Sequence, residues 1–357
     1  MAGCSLGRFW REYLGNGPYA LHSLPSQLFA MGSALLHMPA VWAERDQYDE
    51  AIRAHALTAP PVFIIGHWRS GTTYLHNLLS VDPRFAFMSF LQSAMPLECL
   101  GDTRLASALL RSVLPETRGM DNVEIGPDLP QEEEMALGIL SGLSAYKGFY
   151  FPRNLLHHYR QAVLLEEITD EQRAAFRNAY EYLVRKISYA HDGKKQILFK
   201  NPASTTRIPL LLDLFPDARF VHIIRDPHEV YASMQKLWQR LVPGFSWQKY
   251  DDLDFTEPTL EIYENVMRRY LHDRELVPAG HLVEVRYENL DLSPVETIAS
   301  IYQGLDLPHR DEAMERLRSY LGEAQPYQKN KHSENLEFRR RIAERWSFAF
   351  DAWGYDR

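Results

Sequence analysis

Apolar positions along the chain fall into two rhythms. Short unbroken runs rich in β-branched and aromatic residues read as strands buried on both faces. They are Val62 to Ile65, Ile197 to Phe199, Arg219 to Ile224 and His281 to Arg286, with Phe85 to Met88 as a further short one. Between them apolar residues return at three- and four-residue intervals, the spacing of an amphipathic helix. Leu75, Leu78 and Leu79 do so, as do Phe176, Tyr180, Leu183, Val184 and Ile187, the run Ile208 to Phe215, and Leu260, Tyr263, Met267, Tyr270 and Leu271. Strands alternating with helices predict a parallel sheet covered on both faces, an α/β fold. Ser293-Pro294-Val295-Glu296 predicts a helix start with a serine cap, a first-turn proline and a glutamate closing the capping box, and Gly304 its end. The tail, Leu336 to Trp353, predicts one more amphipathic helix with Arg339 to Arg341 on its polar side.

Domain limits follow from where the rhythm changes. Helical pieces over Leu28 to Ala56, then Ala59-Pro60-Pro61, predict an N-terminal helical extension over residues 1–60. The α/β domain is expected over residues 61–357, with a helical insertion around 89–190. Within that insertion Leu100 to Pro130 is broken by Pro115, Gly119, Gly126, Pro127 and Pro130, and reads as a lid or acceptor-side segment. Leu21 to Trp42 is fairly apolar but is interrupted by His22, Pro25, Gln27, His37 and Pro39, so it is a poor spanning helix. It reads as a helical flap on the main domain; peripheral membrane contact is the other reading. No basic region precedes a continuous apolar core, so no signal peptide is expected.

Composition narrows the class. The 357 residues, 45% hydrophobic and 24% charged, suit a globular enzyme of one large α/β domain with helical additions, or two ordinary domains. A net charge of −8 supplies no basic field for nucleic acid. Two cysteines, Cys4 and Cys99, make no disulfide framework and point to a reducing, cytoplasmic setting.

The chemistry gathers around Pro61 to Leu79. A strand runs into a loop bracketed by Gly66 and Gly71, and a helix follows. Backbone N–H groups of such a loop and the positive helix end converge on one point and make an anion site. The two glycines have the spacing of the nucleotide-binding P-loop, but Thr72 stands where that loop has its lysine. The cation has moved inside the loop, to Arg69.

The segment Arg69-Ser70-Gly71-Thr72-Thr73 resembles the 5′-phosphosulfate-binding loop of sulfotransferases that use 3′-phosphoadenosine 5′-phosphosulfate (PAPS). That family has a second motif, an arginine at a strand end followed by a serine in the next helix. Phe220 to Ile224 followed by Arg225-Asp226-Pro227 and Ser233 resembles it. The resemblance implies a sulfotransferase fold, a P-loop-type parallel sheet flanked by helices. It also implies PAPS as co-substrate, its bisphosphate (PAP) as product, and no metal. In that reading Arg69, Ser70, Gly71, Thr72 and Thr73 hold the phosphosulfate, and Arg225 and Ser233 the 3′-phosphate. Lys200, in Phe199-Lys200-Asn201-Pro202, resembles the Lys-x-Pro element of tyrosylprotein and bacterial sulfotransferases and would stabilise the leaving oxygen. Lys329 and Lys331 resemble the basic loop that closes over the 3′-phosphate, with an exposed lysine pair as the plainer reading. Arg286 to Leu290 resembles a late strand-end element in which Tyr287 and Glu288 pin a loop.

The base for the acceptor proton is less plainly written. Phe85 to Phe90 lacks the glutamate that tyrosylprotein sulfotransferases carry after the phosphate loop. Pro130-Gln131-Glu132-Glu133-Glu134 resembles an acidic element of the bacterial group, so Glu132 and Glu133 are the candidates, for base or for a cation site. The plainer reading is acids in a first helical turn. Glu98, His67 and His76 are lesser candidates, and Trp68 and Trp238 either stack on adenine or sit in the core. The acceptor is expected to be an alcohol, phenol or amine of a small molecule, glycan or lipid. A divergent magnesium-dependent P-loop kinase or NTPase, and a nucleotide-binding protein without catalysis, are the alternatives.

Overall fold

A computed structural model describes residue 4, residues 6–115, residue 117, residues 123–323 and residues 336–357. The chain gathers into two compact units. One takes Met1–Ala59, Ala86–Ile197 and Arg240–Leu253; the other takes Pro60–Phe85, Leu198–Gln239 and Asp254–Arg357.

The apolar runs become strands: β1 (Val62–Ile65), β2 (Phe85–Ala86), β3 (Gln196–Lys200), β4 (Arg219–Ile224) and β5 (Leu282–Arg286). Their order is β2-β3-β1-β4-β5. Strand β1 lies parallel to β3 and β4, and β4 parallel to β5, with Ile64 opposite Lys200 and Ile224 opposite Arg286. All four residues of β1 are buried, which is why the run shows no alternation. Val62 and Ile64 point into a cluster with Leu75, Leu78, Ile298, Ile301 and Leu317. Phe63 points the other way, its ring 5.8 Å from that of Phe220 and 6.2 Å from that of Phe215. Because β1 is central and its neighbours arise later in the chain on either side, the carboxyl ends of β1, β3, β4 and β5 open on one edge. That edge is the switch point where open α/β sheets bind ligands.

Two sequence expectations fail here. Ser293 precedes the helix Pro294–Gly304 but makes no cap hydrogen bond. It also ends the helix Tyr287–Leu292, which holds it at φ −140° and ψ 70°, away from the extended geometry of a capping residue. Ser89 and Thr169, at ψ 165° and 161°, do form capping boxes, with Gln92 and Gln172. The tail is two helices, Leu336–Arg345 and Ser347–Trp353. Trp346 breaks them apart by burying its indole 3.9 Å from the Tyr263 ring, with Nε1 donating to the Leu260 carbonyl.

The helical unit is organised by the helix Asp170–Tyr189, whose Phe176, Tyr180, Leu183, Val184 and Ile187 are fully buried. It packs on the helices Glu134–Ser141 and Met38–Ala54. The buried ammonium of Lys186 donates to the Glu44 carboxylate and to the Pro96 carbonyl at 2.5 Å. Glu44 also accepts from the Leu100 and Gly101 amides, at 2.5 and 3.2 Å. The helix Arg104–Val113, unread in the sequence, follows directly. No helix of the described residues is long and apolar enough to cross a membrane.

Removing one partner of a buried ion pair strands the other charge. Lys186→Ala is expected to cost about 3–5 kcal/mol in urea denaturation, and Lys186→Met with Glu44→Gln to recover part of that loss, because the side-chain carbonyl still accepts from the Leu100 and Gly101 amides.

Candidate active site

The glycine-bracketed loop is fixed by contacts as much as by torsion angles. Gly66, Arg69 and Gly71 have φ of 145°, 69° and 99°. A Cβ on Gly66 would stand 2.5 Å from the Ile223 carbonyl oxygen, and one on Gly71 2.3 Å from Cδ2 of Tyr287. Only glycine lets the loop lie against β4 and the residue after β5. The loop closes on itself where the amide and hydroxyl of Ser70 donate to the His67 carbonyl, at 3.2 and 2.7 Å. Thr205 Oγ1 accepts from the Gly66 amide at 2.8 Å and donates to its carbonyl at 3.1 Å. The helix Thr72–Leu79 starts from Gly71 with no side-chain cap on its first turn. Its leading N–H groups and its dipole therefore face an anion position.

The second motif closes onto this loop. Arg225 leaves the end of β4 and donates from Nη1 to the Arg69 carbonyl at 3.2 Å. Its guanidinium lies 4.5 Å from the centre of the Tyr287 ring, and Nη2 reaches Glu229 at 3.2 Å. Arg69 Nε donates to Ser233 Oγ at 2.9 Å. Ser233 sits two turns into the helix Pro227–Phe245, whose Val230, Met234 and Leu237 are buried. The carboxylate of Asp226 caps that helix, accepting from the His228 amide at 2.8 Å. Glu288 accepts from the Asp226 amide at 3.1 Å and from the Tyr355 hydroxyl at 2.8 Å, so Tyr287 and Glu288 do pin the neighbouring loop.

Lys200 ends β3 beside β1. It is buried, and its ammonium donates to Thr73 Oγ1 at 3.3 Å. Arg69, Ser70, Gly71, Thr72, Thr73, Lys200, Arg225 and Ser233 thus converge from the ends of β1, β3 and β4 and from the helices that follow. Lys329 and Lys331 lie outside the described residues.

The lesser candidates are core residues. Burial pushes the His67 imidazole down to about 4, and its ring packs 4.9 Å from Tyr263. Burial, and then the Lys200 charge, hold His76 well below the ordinary histidine range. Neither adds positive charge at neutral pH. Trp238 donates from Nε1 to Thr259 Oγ1 at 2.9 Å and stacks on Phe255 at 5.2 Å, so it is not an adenine platform.

In the helical unit, Glu132, Glu133 and Glu134 are all buried. The helix begins only at Glu134, whose Oε1 accepts from the Ala145 amide at 2.6 Å. The first-turn reading therefore fails for the other two. Tyr146 donates its hydroxyl to Glu132 Oε2 at 2.7 Å, and Tyr180 donates its own to Glu133 Oε1 at 2.5 Å. Glu98 is occupied by His37. Among the described residues no cluster of three or more His, Cys, Asp or Glu could hold a metal.

Sequence reading missed Thr205, Glu229 and the contact of Tyr287 with Gly71. Thr205 and Tyr287 are brought by the fold to residues that the motifs contain, whereas Glu229 is a local partner, one helical turn after Arg225.

Residues 60–312 match the sequence profile of the sulfotransferase family. The chain belongs to that family. The enzyme is accordingly a sulfotransferase, and the kinase reading, already short of its lysine at Thr72, is set aside. Among relatives, omega-hydroxy-beta-dihydromenaquinone-9 sulfotransferase Stf3 of Mycobacterium tuberculosis is 29% identical over 360 residues, spanning 99% of this chain and 91% of the relative. Sulfotransferase STF9 of Mycobacterium avium shares the fold at a TM-score of 0.71 and 20% identity, covering 98% of this chain and 96% of that one. STF1 of Mycobacterium tuberculosis does so at 0.65 and 20%, covering 96% and 91%.

The contact beneath the sulfotransferase loop is measurable. Gly280 shares the left-handed region at φ 82° but has open space where a Cβ would stand. Gly280→Ala is expected to cost about 1–2 kcal/mol in urea denaturation. Gly71→Ala is expected to cost clearly more, up to about 3 kcal/mol, because the ring of Tyr287 must also move. Equal losses would mean that the ring gives way freely.

Proposed function

We propose that this sulfotransferase moves a sulfuryl group from PAPS onto a hydroxyl of an apolar, lipid-like acceptor. One observation carries the donor half: Arg225 holds the carbonyl of Arg69 while Arg69 holds Ser233, so both phosphate motifs form one hydrogen-bonded set. The acceptor half rests on the relative Stf3, whose name gives a hydroxylated dihydromenaquinone.

The loop amides of Gly71, Thr72 and Thr73 and the guanidinium of Arg69 grip the 5′-phosphosulfate. Arg225 and Ser233 take the 3′-phosphate, and Lys329 and Lys331 add positive charge for it. Lys200 stands where charge grows on the bridging oxygen as its bond to sulfur breaks and the acceptor oxygen bonds to sulfur. A buried ammonium gains most from such an anion, because little water competes for it. The acceptor proton passes to a carboxylate. Glu132 and Glu133 are the candidates, and Glu132, the less deeply buried, is preferred. The N-terminal helices and the insertion around residues 89–190 form the acceptor side. Replacing the charged bridging oxygen by a bound alcohol needs no metal in this scheme.

A thermal-shift titration with adenosine 3′,5′-bisphosphate tests the donor. At 100 times its dissociation constant a ligand adds about 2.7 kcal/mol to the folded state. The bisphosphate is expected to stabilise the wild type and to act far more weakly on Arg225→Ala; stabilisation by magnesium-ATP alone would overturn the reading. For the base, Glu132→Gln is expected to lower kcat about 10²–10⁴-fold while leaving the bisphosphate shift intact. Unchanged kcat would move the role to Glu133 or elsewhere.

A further inference from the structure

Apolar surface is unevenly shared between the two units. Of the seventeen large hydrophobic side chains that stand exposed among the described residues, fourteen belong to the helical unit. Leu28 and Phe29 on the helix Leu24–Leu36 are 62% and 70% exposed, and Leu36 and Trp42 at the next corner 81% and 62%. On the helix Arg104–Val113, Leu105, Leu109 and Val113 recur every fourth residue and are 83%, 61% and 66% exposed. That helix buries no residue at all, yet its apolar side chains form one stripe. Such a stripe is matched to an apolar medium lying outside the chain.

Two buried carboxylates hold these surfaces in one neighbourhood. Glu98 meets His37, the residue between the helices Leu24–Leu36 and Met38–Ala54. Glu44 accepts from the amides of Leu100 and Gly101, just before the helix Arg104–Val113. The exposed corner at Leu36 and Trp42 is thereby tied to the start of the exposed stripe.

Charge selects the occupant. Leu21 to Trp42 contains no Asp, Glu, Lys or Arg, although the chain is 24% charged and carries a net −8. The helix Arg104–Val113 has two arginines and no acid, the arginines lying opposite the stripe. Each pairs with an exposed aspartate, Asp102 or Asp128, a contact that solvent screens. A protein partner would need a polar rim to set its register, and the uncharged run offers little of one. We infer that this face of the helical unit docks on a phospholipid bilayer, its leucines, Phe29 and Trp42 entering the acyl boundary and Arg104 and Arg111 remaining among the phosphates. The inference rests on a lipid-like acceptor for its purpose: docking would bring the enzyme to a substrate that does not leave the membrane.

The test uses the full chain and vesicles, with neither donor nor acceptor present. Wild type is expected to co-sediment with phosphatidylcholine vesicles, and more strongly when phosphatidylglycerol is added. Leu28→Asp with Phe29→Asp, and separately Leu105→Asp with Leu109→Asp, should lower that partition at least tenfold. All four sites are exposed, so the melting temperature should hold, and the stabilisation by adenosine 3′,5′-bisphosphate, measured separately, should match wild type. Wild type remaining in the supernatant with both vesicle types would overturn the inference, as would variants that bind like wild type. A wild-type dimer in sedimentation velocity that Leu28→Asp with Phe29→Asp splits would also overturn it, making the face a contact between copies. Vesicle binding by an enzyme that sulfates no lipid alcohol would leave the docking face standing and remove the acceptor reading instead.

Discussion

The site depends on backbone lying against backbone at the end of β1. At Gly66 a single methyl group would collide with the Ile223 carbonyl, and at Gly71 with the ring of Tyr287. That closeness puts the amides of the loop, the start of the helix Thr72–Leu79 and the end of β4 around one point. The cations come afterwards. Arg225 reaches the loop because β4 adjoins β1, and Lys200 reaches it because β3 adjoins β1 on the other side. A sheet of another order would keep both motifs in the sequence and lose the site.

How legible a feature was depended on whether its cause was local. Buried strands declare themselves by composition, and Arg219 to Ile224 was bounded correctly because nothing in it alternates. Asp226-Pro227 carries its helix start locally, since a carboxylate cap and a fixed φ act within three residues. Ser293-Pro294 carried the same kind of local signal and failed, because the preceding helix had already set the backbone of Ser293. Trp346 broke a helix that periodicity ran straight through, since the pull on it comes from Tyr263 and Leu260, more than eighty residues away. Glu132 and Glu133 looked like acids of a helical turn; what makes them otherwise is Tyr146 and Tyr180, hydroxyls that only the folded helical unit brings to them. The helix Arg104–Val113 went unread because the proline and glycine breakers after it dominated the segment.

Charge is handled differently in the two units. Around the glycine-bracketed loop, cations are held by hydroxyls, a carbonyl and an aromatic face, and Arg225 also by the Glu229 carboxylate. In the helical unit several carboxylates are buried, each with a partner: Glu44 has an ammonium and two amides, Glu132 and Glu133 each a tyrosine hydroxyl, Glu134 an amide. Each buried acid without a partner would cost more than a hydrogen bond returns. The donor side is therefore built to receive negative charge, and the helical unit to keep its own negative charge in fixed places.

Arg69 has an unusual position among these groups. It is a bulky residue in the left-handed region, its side chain given to Ser233 and its carbonyl taken by Arg225. One peptide unit thus joins the two ends of the anion cradle. Anything that draws Arg225 away shifts the carbonyl of residue 69, and anything that turns its side chain releases Ser233. For the donor proposed above, charged at both ends, these groups make one connected clasp, whereas a molecule charged at a single end engages only half of it. The discrimination that follows from the proposal is that of a chelate: two weak grips, joined through one residue, act together on the doubly charged molecule.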